Sequence, residues 1–345
     1  VSTFPSRLPV LVDPPAAPPL RWGILGPGTI AADFTAALLA HTGQRVVAAG
    51  SRSAHRSAAF ASRFGIPTSY GSYDALLADP EVDAVYIATP MSEHFAQAAA
   101  AIAAGKHVLV EKSFMRTADE AVRIRDIRRG TAVFVMEAMK TLYVPQMRLL
   151  RLLLDDGVLG ELDTATAQFG SATTFDANSR LFDPALGGGV VLDIGVYPLA
   201  FARSVLGDFD RVDVSGTLAS SGVEDSFSAV LTTSTGARAT AAASWRSTSA
   251  LRAEVGGSAA RVAIGEPFHN TAPLELISND GSRLGFFDDR RPGRQGLSYQ
   301  AEAMAGYIAE GRTESPVHSL DDSIALMRLI DRVRAGAGAR FDDER

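Results

Sequence analysis

The chain has 345 residues, 46 % of them apolar and 21 % charged, with 33 Lys and Arg against 39 Asp and Glu for a formal charge of −6. That is the balance of a globular protein with a sizeable core, long enough for two domains, and its negative sign argues against nucleic acid as a partner. The absence of cysteine removes disulfides, thiolate catalysis and Cys-ligated zinc.

Residues 1–19 carry six prolines (Pro5, Pro9, Pro14, Pro15, Pro18 and Pro19) without apolar periodicity, which predicts an extended arm. From Arg21 to about Lys140, short β-rich runs alternate with amphipathic ones. Residues 22–25, 45–49, 84–88, 107–110 and 132–136 read as strands. Residues 29–40, 54–64, 92–104 and 117–129 read as helices, with Gly43, Gly65, Gly105 and Gly130 as stop signals. The Arg-rich stretch 123–129 is interrupted by Asp126 and apolar residues, as a solvated helix face is. Strand–helix alternation at this spacing demands right-handed crossovers and a parallel sheet covered on both faces. Residues 20–141 are therefore predicted to form a doubly wound α/β domain.

Beyond Pro145 the pattern changes. A helix over 146–156 ends at Gly157, and alternating runs follow at 164–169, 211–217, 227–233 and 237–245. Ser234-Thr235-Gly236, Gly256-Gly257 and Asn279-Asp280-Gly281 mark turns. A last helix over 319–334 aligns Leu320, Ile324, Met327, Ile330 and Val333 on one face. Residues 142–345 thus read as an α+β domain with an open, mostly antiparallel sheet. No membrane-length apolar run is read: the longest low-polarity stretch taken is 96–105, Ala-rich and broken by Gln97. The N-terminus lacks the basic and apolar regions of a signal peptide, so a cytoplasmic protein without membrane contact is expected. No metal site is expected either, since the six histidines show no close ligand spacing.

Gly26-Pro27-Gly28-Thr29-Ile30-Ala31 follows the first strand and opens the first helix. Gly26 permits a tight turn, Gly28 lets the backbone approach a pyrophosphate, and small Ala31 allows close helix–strand packing. The helix start, at Thr29 and Ile30, offers N–H groups and a positive dipole end to phosphates. An NAD site usually places Asp or Glu ~20 residues past the glycines to bind the ribose 2′-OH. Here the second strand ends Ala48-Ala49-Gly50-Ser51-Arg52-Ser53, and no carboxylate occurs between Gln44 and Ser62. Arg52 is suited to fork a 2′-phosphate, with Ser51, Ser53 or Arg56 assisting; the competing reading is an exposed loop arginine. NADP is the expected cofactor, ahead of NAD. The turn Ala88-Thr89-Pro90-Met91-Ser92-Glu93-His94 lies at a strand's carboxyl end, where Thr89 and Pro90 flank a ribose or nicotinamide. His94 is grouped with them in a hydrogen-bonding role rather than a catalytic one.

Two further segments carry chemistry. Glu111-Lys112 ends the strand at 107–110 and directs Lys112 toward the same crevice, with Glu111 grouped among the cofactor-side residues. Gly187-Gly188-Gly189 precedes Val190-Val191-Leu192-Asp193-Ile194-Gly195-Val196-Tyr197, which as a helix makes Asp193 and Tyr197 i,i+4 neighbours. Pro198 should distort the turn and fix where the tyrosine points.

With these segments the chain resembles the Gfo/Idh/MocA oxidoreductases from Arg21 to Phe341. The resemblance rests on the glycine fingerprint, the Ala88-to-His94 turn, Gly105-Lys106-His107-Val108 running into Glu111-Lys112, and the Gly187-to-Tyr197 run. Met136-Glu137-Ala138-Met139 and residues 187–198 look most like the branch of dihydrodiol dehydrogenases and NADP-linked xylose dehydrogenases. The resemblance implies an N-terminal Rossmann domain and a C-terminal α+β domain whose open sheet forms a homodimer or homotetramer interface. It also implies hydride exchange between the nicotinamide and an aldose, cyclic polyol or trans-dihydrodiol. By matching position Tyr197 is the proton donor and acceptor, Lys112 its electrostatic partner, and Asp193 the group orienting a substrate hydroxyl or the ammonium. A phenol titrating near ~10 needs such a cation to act as a base at neutral pH. Arg180 either reaches the substrate or braces its loop. Ser113 stands where the family has proline, which predicts a looser turn, and Lys140 and Leu142 stand where the branch has an aromatic and a basic residue. Trp245 and Phe268 read as core. Two alternatives remain at this point: a non-catalytic dinucleotide-sensing regulator, and a nucleotide-retaining enzyme of redox-neutral glycoside cleavage.

Overall fold

The computed structural model describes residues 4–13 and 16–339. Pro14 and Pro15 of the arm, and Phe341 at the end of the resemblance, lie outside the described residues. By internal packing the described residues form two compact units, one from 13, 16–143 and 291–327, the other from 4–12, 144–290 and 328–339.

The first unit is the doubly wound sheet. Its elements are β1 (Arg21–Leu25), α1 (Thr29–His41), β2 (Arg45–Gly50), α2 (Ala54–Phe64), β3 (Thr68–Tyr70), α3 (Tyr73–Leu77), β4 (Ala84–Ile87), α4 (His94–Ala103), β5 (His107–Glu111), α5 (Ala118–Arg128) and β6 (Val135–Ala138). The strands are all parallel, in the order β3-β2-β1-β4-β5-β6, so the order reverses beside β1. Such a reversal opens a crevice at the carboxyl ends of the strands. Strands covered on both faces must be apolar throughout, and Ile24, Leu25, Val85, Tyr86 and Ile87 are wholly buried. Phe34 of α1 stacks on Tyr86 with ring centroids 3.9 Å apart and meets Trp22 edge-on at 5.6 Å.

Four elements of this unit differ from the sequence reading. β3 and α3 were not expected, because three and five residues are too few to show a period. A 3₁₀ turn, Met91–Glu93, precedes α4. β6 begins at Val135 rather than 132, since the Phe134 N–H is taken by His107 Nδ1 at 2.9 Å before ladder pairing starts. The stretch 291–327, assigned from sequence to the second domain, packs with the parallel sheet. There the Arg291 guanidinium donates to the His41 carbonyl at 3.2 Å, and Gln295 Oε1 meets His41 Nε2 at 2.8 Å.

The second unit contains α6 (Pro145–Asp155), β7 (Leu162–Gly170), α7 (Val196–Leu206), β8 (Arg211–Leu218), β9 (Glu224–Thr232), β10 (Arg238–Ser244), β11 (Ala253–Gly257), β12 (Ala260–Ile264), β13 (Leu274–Ser278) and β14 (Arg283–Phe286). The eight strands lie in the order β14-β13-β12-β11-β7-β10-β9-β8, antiparallel except for β7 with β10. Burial alternates along β8 and β10, as in a sheet with one packed face. Two helices complete the chain: α8 (Leu297–Ala309), in the parallel-sheet unit, and α9 (Leu320–Gly336), which divides between the two units. The sequence reading missed α8, whose apolar stripe of Leu297, Ala301, Met304 and Ala305 is interrupted by buried Ser298 and Gln300. It also undercounted apolar length. The run Pro184–Leu206 has 23 residues, with a mean hydropathy of 1.6 over an 18-residue window, enough by length and composition to cross a membrane. Of its apolar window 72 % is buried within the fold, the signature of a core segment.

That run is seated on β9. Gly189, at φ +123°, lies so close to Glu224 that a β-carbon there would come within 2.5 Å of Oε1. Glu224 is fully buried, with Arg334 of α9, 4 % exposed, reaching it at 3.6 Å. Burial pushes the Glu224 carboxyl above its usual range, while Arg334 and the Val191 N–H pull it down. Removing one partner of a buried pair leaves the other charge poorly compensated, so Glu224→Gln should lower unfolding stability by roughly 3–5 kcal/mol in urea titrations. A loss under about 1 kcal/mol would place the pair among the weak, solvent-screened kind.

Candidate functional site

In the parallel-sheet unit the glycine turn has the shape the fingerprint requires. Gly26 sits at φ +83°, and a β-carbon there would come 2.6 Å from Thr89 Cγ2 and 3.0 Å from the Ala88 carbonyl carbon. Its N–H donates to the Gly50 carbonyl at 3.2 Å, tying the turn to the end of β2. Gly28 is the N-cap of α1; the nearest atom to a β-carbon placed there is 4.0 Å away, so the backbone face is open. No side chain caps α1 and its first turn has no acid. The Thr29 and Ile30 N–H groups therefore have no intrahelical acceptor and point along the positive end of the dipole. A pyrophosphate fits this arrangement.

At the end of β2, Arg52 is exposed and makes no ion pair among the described residues. Burial holds the Tyr73 phenol above its usual range, with Arg52 and Arg56 pulling its proton affinity down and Glu93 pushing it up. Ser51 is buried and its hydroxyl accepts the Ser53 N–H at 3.2 Å, while Ser53 caps α2 by accepting from Arg56. The serines thus shape the turn and leave the two guanidinium groups as its outward charges.

The β4 and β5 ends are tied together. Thr89 donates to Gln97 Oε1 at 2.9 Å, and Pro90 starts the 3₁₀ turn. His94 is buried, with Nε2 3.2 Å from the Thr89 carbonyl and Nδ1 3.2 Å from both the Ser113 and Phe114 carbonyls. Burial holds its imidazole below the usual range. Both nitrogens face backbone carbonyls, and the one N–H of the neutral ring donates on one side only, a backbone hydrogen-bonding role. Glu111 also turns inward: it accepts from the Tyr86 hydroxyl and the Lys112 N–H, and burial raises its carboxyl above the usual range. Lys112 follows, half-buried, and its peptide bond to Ser113 is cis. The turn is not loosened by Ser113. That residue is fully buried, and Glu137 of β6 accepts the Phe114 N–H at 3.0 Å while meeting His318 Nε2 at 2.9 Å.

A residue the sequence reading treated only as a departure proves central. Lys140 is 6 % exposed at the start of the 3₁₀ turn Lys140–Tyr143. Burial, with Arg294 and Lys112 nearby, pushes its amine down to about 7 against the pull of Glu111 and Asp33. Arg294 and Asp33 lie 3.7 Å apart. Neither was identified from sequence, since they are separated by most of the chain.

In the antiparallel-sheet unit the run from Val191 to Gly195 is a π-helical turn leading into α7. Pro198 has no N–H to donate to the Ile194 carbonyl four residues earlier, which favours the wider turn. Asp193 lies 3.8 Å from the exposed Arg180 guanidinium, so Arg180 does meet the run, by way of Asp193. Tyr197 is half-buried and forms a three-ring cluster with Phe169 (ring centroids 5.6 Å) and His269 (4.9 Å), which meet each other at 4.5 Å. No spacing in the sequence links 169 and 269 to 197. Trp245 and Phe268 are core, Trp245 packing edge-on against Phe182 at 4.9 Å. Among the described residues no group of three or more His, Asp or Glu side chains is placed to hold a metal ion.

Comparison with known proteins agrees with this architecture. Residues 20–139 match the GFO_IDH_MocA family, described as an oxidoreductase family with an NAD-binding Rossmann fold, and residues 147–263 match the GFO/IDH/MocA C-terminal domain. The trans-1,2-dihydrobenzene-1,2-diol dehydrogenase of Homo sapiens is 33 % identical over 344 residues, with 94 % of this chain and 99 % of that protein covered. An uncharacterized oxidoreductase, ORF334 of Rhizobium meliloti, is 34 % identical, with coverages of 92 % and 97 %. Among solved structures, KijD10, a 3-ketoreductase from Actinomadura kijaniata in complex with NADP and TDP-benzene, superposes with a TM-score of 0.80 at 29 % identity, covering 92 % of this chain and 98 % of that one. Levoglucosan dehydrogenase, at 20 % identity, shares the fold with a TM-score of 0.84, covering 93 % and 98 %.

The Lys140 environment has a consequence for stability. Its folded-state affinity for a proton is lowered from 10.5 to about 7, so between those values the unfolded chain binds more protons. Stability contributed by the neutral amine is present above pH 10.5 and is lost as pH falls toward 7. Lys140→Met should flatten this rise and be more stable than wild type at pH 6–7, measured by urea unfolding at several pH values. Parallel pH–stability curves for the two proteins would contradict the buried placement.

Proposed function

Since the chain belongs to the GFO/IDH/MocA oxidoreductase family, we propose that it is an NADP-dependent enzyme exchanging hydride with an aldose, a cyclic polyol or a trans-dihydrodiol. The observation that carries the cofactor reading is the end of β2, where Arg52 and Arg56 are exposed and the chain from Gln44 to Ser62 contains no carboxylate that would repel a 2′-phosphate. Gly26, Gly28, Thr29 and Ile30 would hold the pyrophosphate, and Thr89 and Pro90 would flank the ribose and nicotinamide. When bound, the nicotinamide supplies the hydride acceptor or donor.

The proton is the protein's task. In oxidation Tyr197, as phenolate, takes the substrate hydroxyl proton as the carbon gives up its hydride and the C=O forms; in reduction the phenol returns it. An aromatic, half-buried setting does not favour a phenolate, so the reaction calls on the Lys112 ammonium to lower the phenol's proton affinity and to donate a hydrogen bond to the reacting oxygen. Asp193 orients a substrate hydroxyl, with Arg180 holding that carboxylate or reaching the substrate. The dihydrodiol dehydrogenase relatives support a diol or sugar-like substrate.

The same reading takes residues 20–141 as the nucleotide module and 142–345 as the substrate and assembly module, except that 291–327 packs with the nucleotide module, in the cytoplasm. It makes the protein a homodimer or homotetramer through the eight-stranded sheet, whose strands β8 and β9 expose Leu218 (44 %) and Val230 (43 %).

Titration of NADPH and NADH tests the cofactor assignment. Arg52→Ala should weaken NADPH by about 10- to 100-fold, the worth of a charge-assisted pair, and leave NADH unchanged. Equal weakening of both, or wild-type preference for NADH, would reject NADP. Tyr197→Phe should lower kcat by roughly 10²- to 10⁴-fold with NADPH affinity retained; undiminished turnover would remove Tyr197 from the chemistry. Sedimentation should show that Val230→Glu dissociates the assembly, whereas an unchanged sedimentation coefficient points to another interface.

A further inference from the structure

Of the 33 basic Lys and Arg residues in the chain only three are lysine: Lys106, Lys112 and Lys140. Lys106 has a structural post, donating to the carbonyls of Asp79 (2.7 Å) and Val82 (2.8 Å). The other two leave neighbouring strands at the same edge of the sheet. Ala138, the last residue of β6, pairs with Glu111, the last residue of β5. Lys112 therefore follows one pairing partner by one residue and Lys140 follows the other by two. An arginine is charged at every physiological pH, whereas a lysine amine gives up its proton when buried. A chain that otherwise builds its cations from arginine thus has two titratable amines side by side.

The groups around Lys140 can be named element by element. β5 contributes Glu111 and Lys112, α1 contributes Asp33, and the 3₁₀ turn Gly293–Gly296 contributes Arg294. Glu302 of α8 is engaged by Arg291, and Glu137 of β6 is engaged by Phe114 and His318. Glu111 is itself bonded to Tyr86 and the Lys112 backbone. Lys112 is therefore a titratable cation that bears on Lys140 from the neighbouring strand end.

We propose that Lys140 is a positioning residue for Lys112: enclosed beside it, the Lys140 amine sets by its own charge how firmly Lys112 holds a proton. The inference rests on the reading of Lys112 as the electrostatic partner of Tyr197, and gives that role a control. With Lys140 neutral, Lys112 remains an ammonium to higher pH. With Lys140 charged, a second cation in a poorly solvated patch favours release of the Lys112 proton. The coupling is reciprocal, since two interacting amines titrate as a pair.

The experiment reads the amines directly and needs no substrate. In protein labelled with ¹³C at lysine Cε, three resonances are expected, assigned by single substitutions and followed with pH. The Lys112 midpoint should lie about one pH unit lower in Lys140→Arg, a permanent cation, than in Lys140→Met, a permanent neutral. In the reciprocal measurement the Lys140 midpoint should rise in Lys112→Ala. Lys106 serves as the internal control, and circular dichroism confirms that each variant is folded; should Lys140→Arg fail to fold, the Lys112→Ala arm decides alone. A Lys112 midpoint unmoved between the two variants, or a Lys140 midpoint unmoved by Lys112→Ala, overturns the proposal. Failure of the Tyr197 and Lys112 chemistry itself would appear separately, as turnover indifferent to Lys112→Ala.

Discussion

Gly26 is the constraint on which the nucleotide side of this protein depends. The buried strand β1 must turn into α1 where Thr89 and the Ala88 carbonyl already fill the space a side chain would need. Only a residue without a β-carbon and at ease with φ +83° closes that turn. Once it closes, the first N–H groups of α1 face outward with no capping side chain and no acid beside them. The anion-binding property of the turn thus follows from a steric demand inside the sheet, not from any charged residue.

The strand ends beyond it are fixed by polar groups satisfied at depth. The Thr89 carbonyl meets His94, His94 meets the Ser113 and Phe114 carbonyls, Phe114 donates to Glu137, and Glu137 meets His318. Each of these side chains is almost wholly inaccessible, so losing one member would strand a polar neighbour without water. This explains how serine is tolerated after Lys112. The position is fully buried in a turn held from both sides, and the stiffness that a proline ring would supply comes instead from His94 and Glu137.

What could be read from the sequence divides along the same physical line. The glycine turn, the strand ends and the glycine run before Tyr197 were legible because each is local: a backbone conformation or a period of a few residues specifies it. β3 and α3 were too short to carry a period, and the apolar stripe of α8 was diluted by buried Ser298 and Gln300. The surroundings of the candidate groups were least legible. Asp33 and Arg294 reach Lys140 from opposite ends of the chain, and Phe169 and His269 join Tyr197 in one ring cluster from residues about 30 and 70 positions away. Tertiary packing alone creates these neighbourhoods. A lysine that reads in sequence as a replaced aromatic becomes, in the fold, an amine with the proton affinity of a histidine.

The electrostatics of nucleotide recognition must also be local. With a formal charge of −6 the whole molecule repels an anionic dinucleotide at long range. At physiological ionic strength, however, that repulsion is screened over about 8 Å, and binding is decided by the groups inside that radius. Along the end of β2 and the two helix starts the chain carries no carboxylate: none occurs between Gln44 and Ser62, and neither α1 nor α2 has an acid in its first turn. The buried carboxylates nearest the strand ends, Glu111 and Glu137, are turned inward onto a tyrosine, backbone N–H groups and a histidine. An acidic protein can thus present a locally cationic edge without a basic patch, by directing its acids into the core.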